Sequence, residues 1–90
     1  MSAEHEPVDF AVVLAEAGER VTIGGRYGHY KNPEAKQYEV VTLAIDEASE
    51  QPAVVYKALY GDGNTWIRSV DNFLETVDTP DGPKPRFTKL

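Results

Sequence analysis

Three short segments carry most of the residues that could do chemistry: Tyr27-Gly28-His29-Tyr30-Lys31, Val55-Tyr56-Lys57-Ala58-Leu59-Tyr60-Gly61 and Trp66-Ile67-Arg68. Each mixes aromatic with basic side chains. Aromatic rings offer flat faces on which bases or other planar ligands stack, at about 1–3 kcal/mol per ring. A guanidinium beside them, from Arg68 or Arg86, can pair bidentately with a phosphate or carboxylate. The same rings are also the main apolar mass for a small core, each burying about 150–250 Å². Packing and ligand binding therefore compete for the same side chains.

His29 is the one plausible acid–base group, because His5 lies in the N-terminal segment. It has no Ser or Cys nucleophile motif and no paired carboxylates beside it in the sequence, so a proton-shuttle enzyme ranks behind a binding role. Metal chemistry is worse placed. There is no cysteine, no His-x-x-x-His and no string of carboxylates at calcium-loop spacing. Asp62-Gly63-Asn64 reads as a turn, and Gly61-x-Gly63 lacks the rest of a phosphate loop. Neither a metal nor a cofactor is expected.

Ninety residues make one small domain. Such a chain buries only about 60% of the surface its unfolded form exposes, so its core must be compact. The missing cysteines exclude disulfides and fit a reducing cytosol. No apolar run approaches membrane-spanning length, and the acidic start lacks the basic region of a signal peptide. A cytoplasmic protein is the expectation. Of the net charge of −6, −4 falls within the first twenty residues. The remainder is nearly neutral, which disfavours general nucleic-acid binding but leaves room for a local basic patch.

Residues 1–7 read as a flexible acidic tail and 8–90 as one small domain with an N-terminal helical extension over 8–18. Asp9 can cap that helix and Gly18 can stop it. Beyond it, the pattern is β. Arg20–Ile23 alternates weakly before a Gly24-Gly25 bend, and a strand follows over Arg26–Lys31. After the Asn32–Ala35 loop come strands over Gln37–Ile45 and Ala53–Tyr60, separated by an acidic loop. Gly61-Asp62-Gly63-Asn64 supplies a tight hairpin turn into Thr65–Val70. Asp71 can cap a single 3₁₀ turn with Phe73 or Leu74 plugging the core. Thr76–Thr79 and Arg86–Lys89 then pair around Pro80–Pro85, at an edge because prolines cannot donate to a central ladder. The order suits a mainly β fold: a small SH3-like, partly open barrel of five to six antiparallel strands. A curled antiparallel sheet packed on the helix is the alternative.

Alternation sorts the side chains by face. If Val55, Leu59 and Ile67 point inward, Tyr56, Tyr60, Trp66 and Arg68 form the other surface, with Tyr27 and His29 completing a concave platform and Arg86 at its margin. Tyr38 and much of Trp66 are expected in the core, and Arg68 can pair with Glu39 or Glu75.

The motifs Gly25-x-Tyr27-x-His29-Tyr30-Lys31, Tyr38-Glu39-Val40, Val54-Val55-Tyr56-x-Ala58-Leu59-Tyr60-Gly61, Trp66-x-Arg68, Phe73-x-Glu75-x-Val77 and Pro85-Arg86-Phe87 run in an order that resembles the small bacterial domain-of-unknown-function family numbered 1653. The resemblance covers about Gly24 to the C-terminus. It implies a stand-alone bacterial domain and brings no mechanism. Residues 1–23 read as an extension of that pattern, and the Asn32–Lys36 loop as longer than its usual Lys-Gly connection. The expected function is a non-enzymatic binding module, with RNA or a nucleotide as the favoured ligand of Tyr27, His29, Tyr56, Tyr60, Trp66, Arg68 and Arg86. The alternative is a protein-interaction or dimerisation module that uses an exposed β-edge near Thr88, with no membrane partner.

Overall fold

Residues 8–90 are described by a computed structural model, so the expected acidic tail at 1–7 lies outside the described residues. Helix α1 spans Phe10–Arg20. Asp9 caps it, its carboxylate accepting from the Ala11 and Val12 N–H groups at 3.1 and 3.3 Å. The helix does not stop at Gly18, as the sequence suggested. A helical glycine is tolerated there, and the stop comes where Val21 turns extended to bury its side chain. Val21 and Ala17 anchor the helix to the core. The weak strand expected at Arg20–Ile23 is absent: the segment is the end of α1 and a turn.

Strands β1 (Arg26–His29), β2 (Gln37–Ile45), β3 (Pro52–Ala58) and β4 (Thr65–Ser69) follow, then the helical turn α2 (Val70–Phe73). Ser69, rather than Asp71, caps α2, its hydroxyl accepting from the Asn72 N–H at 3.1 Å. The turn is α rather than 3₁₀, because the Leu74 N–H reaches back to the Val70 carbonyl. The chain closes with β5 (Thr76–Thr79), β6 (Gly82–Pro85) and β7 (Phe87–Lys89). Five antiparallel strands form one sheet in the order β4-β3-β2-β1-β7, and β5 and β6 form a separate pair. The fold is mainly β and partly open, without closure into a barrel.

The terminal pairing differs from expectation. β5 pairs with the proline-rich β6, and β7 crosses to β1. Pro83 and Pro85 are two residues apart, so both missing donors fall on the side of β6 away from β5. The prolines thus permit one partner and forbid a second, and Phe87–Lys89 is left to complete the large sheet.

A bulge in β2 sets the core. Val40 pairs with Tyr56, but Thr42 pairs with Val55 and Leu43 with Val54, leaving Val41 as the extra residue. The bulge shifts the alternation by one, so Tyr38, Val40 and Leu43 all join the core with Val54, Tyr56 and Ala58. This reverses the face assignment made from β3 and β4 alone. Tyr56 is 4% exposed and Ile67 62% exposed. Above this face, α2 and β7 bring Phe73 and Phe87 into a parallel stack, with centroids 4.3 Å apart and planes 9° apart. Tyr27, Tyr56 and Tyr38 meet the stack edge-on.

Phe73 is fully buried at the centre of this cluster. Phe73→Ala is expected to destabilise the fold by about 3–5 kcal/mol through lost transfer energy and the cavity left behind. Urea unfolding checks this, and a loss below about 1 kcal/mol would show that the stack does not organise the core.

Candidate functional site

Where the aromatic cluster reaches the sheet edge it leaves an open cleft of about 200 Å³, lined by His29, Tyr38, Tyr56, Trp66, Arg68 and Phe87. Each side chain arrives for a separate reason. β1 delivers His29, whose ring meets Phe87 edge-on at 5.3 Å. β3 and β2 supply Tyr56 and Tyr38 as the inner wall. β4 supplies Trp66 directly opposite Tyr56, with Arg68 two residues further along the same face. Because β4 ends the sheet, Trp66 has no outer neighbour there and is 52% exposed.

Arg68 is fixed from two sides. Its Nε–H donates to the Tyr56 hydroxyl at 3.0 Å, and Nη1 donates to the Asn72 side-chain carbonyl. Its guanidinium carbon lies 6.0 Å from the centroid of the Phe87 ring. Asn72 in turn donates to Glu75, which accepts from Arg86 at 2.7 Å. Arg86 also donates through Nε to the Asn72 backbone carbonyl at 3.1 Å. Arg68 therefore meets Glu75 only through Asn72, and Arg86 takes the carboxylate. A guanidinium has five N–H donors, so those not engaged by Tyr56 and Asn72 are available to a ligand.

His29 is positioned by the loop that follows it. Its N–H donates to the Lys36 carbonyl at 3.0 Å, and the Lys31 N–H donates to Nδ1 at 3.2 Å. Accepting at Nδ1 leaves the neutral ring with its proton on Nε2, as a donor. The loop closes tightly because residue 28 is glycine: a Cβ there would stand 2.8 Å from the Pro33 Cβ and 2.9 Å from its carbonyl oxygen. Partial burial lowers the His29 pKa from its ordinary 6.5, and the charges of Lys31, Arg68, Lys36 and Arg86 lower it further. The cleft thus holds a neutral imidazole donor beside one lining cation, Arg68.

Of the residues expected at the site, His29, Tyr56, Trp66 and Arg68 converge on the cleft. Tyr56 contributes from the core, and Trp66 stands largely outside it, contrary to the expected division. Tyr60 is exposed and does not line the cleft, but its hydroxyl lies 2.6 Å from that of the wall residue Tyr38. Burial and this hydrogen bond both raise the Tyr38 pKa, with burial the larger cause, so Tyr38 remains a neutral phenol. Tyr27 does not line the opening: it is buried, and its hydroxyl accepts from the Thr22 N–H at 3.0 Å. Arg86 is committed to Glu75. Sequence reasoning missed Asn72 and the part played by Phe87 as a cleft wall. The only sequence trace of Asn72 is its placement four residues after Arg68, across a capping serine.

The fold and cleft define a small, mainly β domain with an open aromatic-basic recess. The profile of the family described as a protein of unknown function, DUF1653, matches residues 25–89, and the chain belongs to that family. A crystal structure of a family protein from Bordetella bronchiseptica is similar, with 35% identity and a TM-score of 0.65 over 74% of this chain and 85% of that one. None of the curated proteins gives a significant match. Helix α1 precedes the matched segment and packs on the same core. No helix among the described residues is long and apolar enough to cross a membrane.

The lowered His29 pKa has a measurable consequence. The unfolded chain takes up this proton more readily than the folded one, so the linked stability is complete above about pH 6.5 and declines as pH falls through the folded-state value. An NMR titration should place the imidazole midpoint below 6.5, and Arg68→Ala should move it upward. A midpoint at or above 6.5 would contradict the assigned burial and charge environment.

Proposed function

We propose that the chain is a non-enzymatic binding module that receives a nucleotide, or one nucleotide of an RNA strand, in the Trp66–Arg68–His29 cleft. The observation that carries this reading is the convergence of an exposed indole, a restrained guanidinium and a neutral imidazole donor on one recess. An aromatic face can stack any base, and the cations around His29 favour the attached phosphate. The recess is smaller than the roughly 300–1,000 Å³ typical of pockets for drug-sized ligands, which suits a single base better than a complete cofactor. Its six lining residues include no carboxylate or thiol, which favours binding over the proton-shuttle enzyme reading. We take residues 8–90 as one folded unit acting in the cytoplasm of a bacterium, in keeping with the absence of cysteine. Tyr27, Tyr60 and Arg86 support this site rather than touching the ligand.

A second reading, self-association or partner binding through a sheet edge, draws support from the two ends of the sheet. β4 and β7 are its terminal strands, and Ile67 and Leu90 are well exposed beside them. Self-association abolished by Lys89→Pro, at a residue whose N–H faces away from β1, with no response to RNA, would favour that reading over the first.

Trp66 fluorescence should change on titration with short single-stranded RNA or nucleoside monophosphates. Arg68→Ala should weaken binding by about 10-fold or more, as expected for a lost charge-assisted hydrogen bond. No change at high protein and ligand concentration, with the fold intact, would overturn the proposal.

A further inference from the structure

A second, larger cleft of about 400 Å³ lies between the end of β1 and the β5–β6 hairpin, lined by Tyr30, Lys31, Asp78, Thr79, Pro80, Asp81 and Lys84. It shares no residue with the first. The two are nevertheless neighbours, because the divider between them is only two rings thick. His29 lines the first cleft, Tyr30 lines the second, and their ring centroids are 4.7 Å apart with planes tilted by 33°. The carbonyl of Arg86 accepts from the Tyr30 N–H at 3.0 Å, which ties this divider to the strand ending in β7.

From this juxtaposition, and resting on the nucleotide reading of the first cleft, we infer that the ligand is a single-stranded RNA segment of at least two nucleotides, with consecutive bases in the two clefts and the linking phosphate across the His29–Tyr30 divider. The charge pattern is consistent with that polarity of roles. Arg68 lines the first cleft beside His29 and Lys31 lines the second beside Tyr30, so a cation flanks the divider on each side, where the phosphate falls. The second cleft is mixed in charge. Lys84 stands 3.8 Å from Asp81 across an exposed pair, and Asp78 lies on the same wall. Carboxylates repel phosphate but accept from the amino groups of adenine, cytosine or guanine. Tyr30 supplies the stacking surface that a base requires, so this cleft is built for a base and the divider for the phosphate. The acidity of the chain as a whole restricts binding to this short track and disfavours sliding along a polyanion.

Binding of AMP, ApA and ApApA, each followed by Trp66 fluorescence and by calorimetry, tests the inference. One additional stacked base is worth about 5- to 150-fold in affinity. ApA should bind tighter than AMP within that range, and the ApA-to-AMP affinity ratio should fall toward one in Tyr30→Leu and again in Asp78→Ala. The second variant lies at an exposed position of the hairpin, so its effect is separable from any loss of folding in the first. AMP binding with equal affinity for ApA would overturn the two-cleft inference and leave the nucleotide reading intact. A ratio unchanged in both variants would overturn it as well. Failure of all three ligands to bind would instead overturn the nucleotide reading on which it rests.

Discussion

The parallel stack of Phe73 on Phe87 is the contact through which the separate parts of this fold communicate. Phe73 comes from a single helical turn and Phe87 from the last short strand. Neither element would persist alone, because a four-residue helix and a three-residue strand bury too little to offset their ordering. Each becomes stable by presenting one ring to the other and to the tyrosines of β1, β2 and β3. The stack also fixes the cleft, since Phe87 is both the lower half of the core and a wall of the opening. Packing and the candidate site are therefore one construction, with the same ring serving both.

What separates the cleft from the core is the restraint of its polar groups. Arg68 is placed across an aromatic surface and held by a phenol and an amide rather than by a carboxylate. A carboxylate partner would have neutralised it and removed its attraction for an anion. The neighbouring Arg86 takes Glu75 instead, and Asn72 spaces the two guanidinium groups. His29 is kept neutral by partial burial and by the same cations. The result is one guanidinium without a carboxylate partner on a protein that is acidic overall. Under the proposed binding role, that contrast favours a short, defined ligand over an extended polyanion.

Much of the architecture could be read from the chain, and the errors have identifiable causes. The long strand Gln37–Ile45, the glycines that hold positive φ at positions 61 and 63, and a core plug at Phe73 or Leu74 were all legible. Faces were not, because a period of two assigns side chains to two sides without saying which side is covered. The bulge at Val41 leaves only a change of phase, from apolar Tyr38 and Val40 at even positions to Leu43 and Ile45 at odd ones, which Val41 itself blurs. Strand order was equally hidden. Tyr56 and Trp66 share a face and a register position, yet one is buried and the other open because β3 is interior and β4 is an edge. Asn72 became visible only once Ser69 was seen to cap the turn that carries it. A terminal hairpin was expected from the Pro-Asp-Gly turn, but its return strand is the proline segment Gly82–Pro85, while Phe87–Lys89 goes to β1.

The recess between β1 and β4, rather than the exposed outer face of the sheet, is the proposed ligand site. Amide and indole chemical shifts recorded during titration with a short single-stranded adenylate RNA test this most directly. The Trp66 indole, the Arg68 side chain and the amides of His29, Tyr30 and Lys31 should move together and saturate, while Val41, Thr42 and Val55 on the opposite face stay still. Shifts centred on Val41, Thr42 and Val55, or a spectrum that does not change, would contradict it.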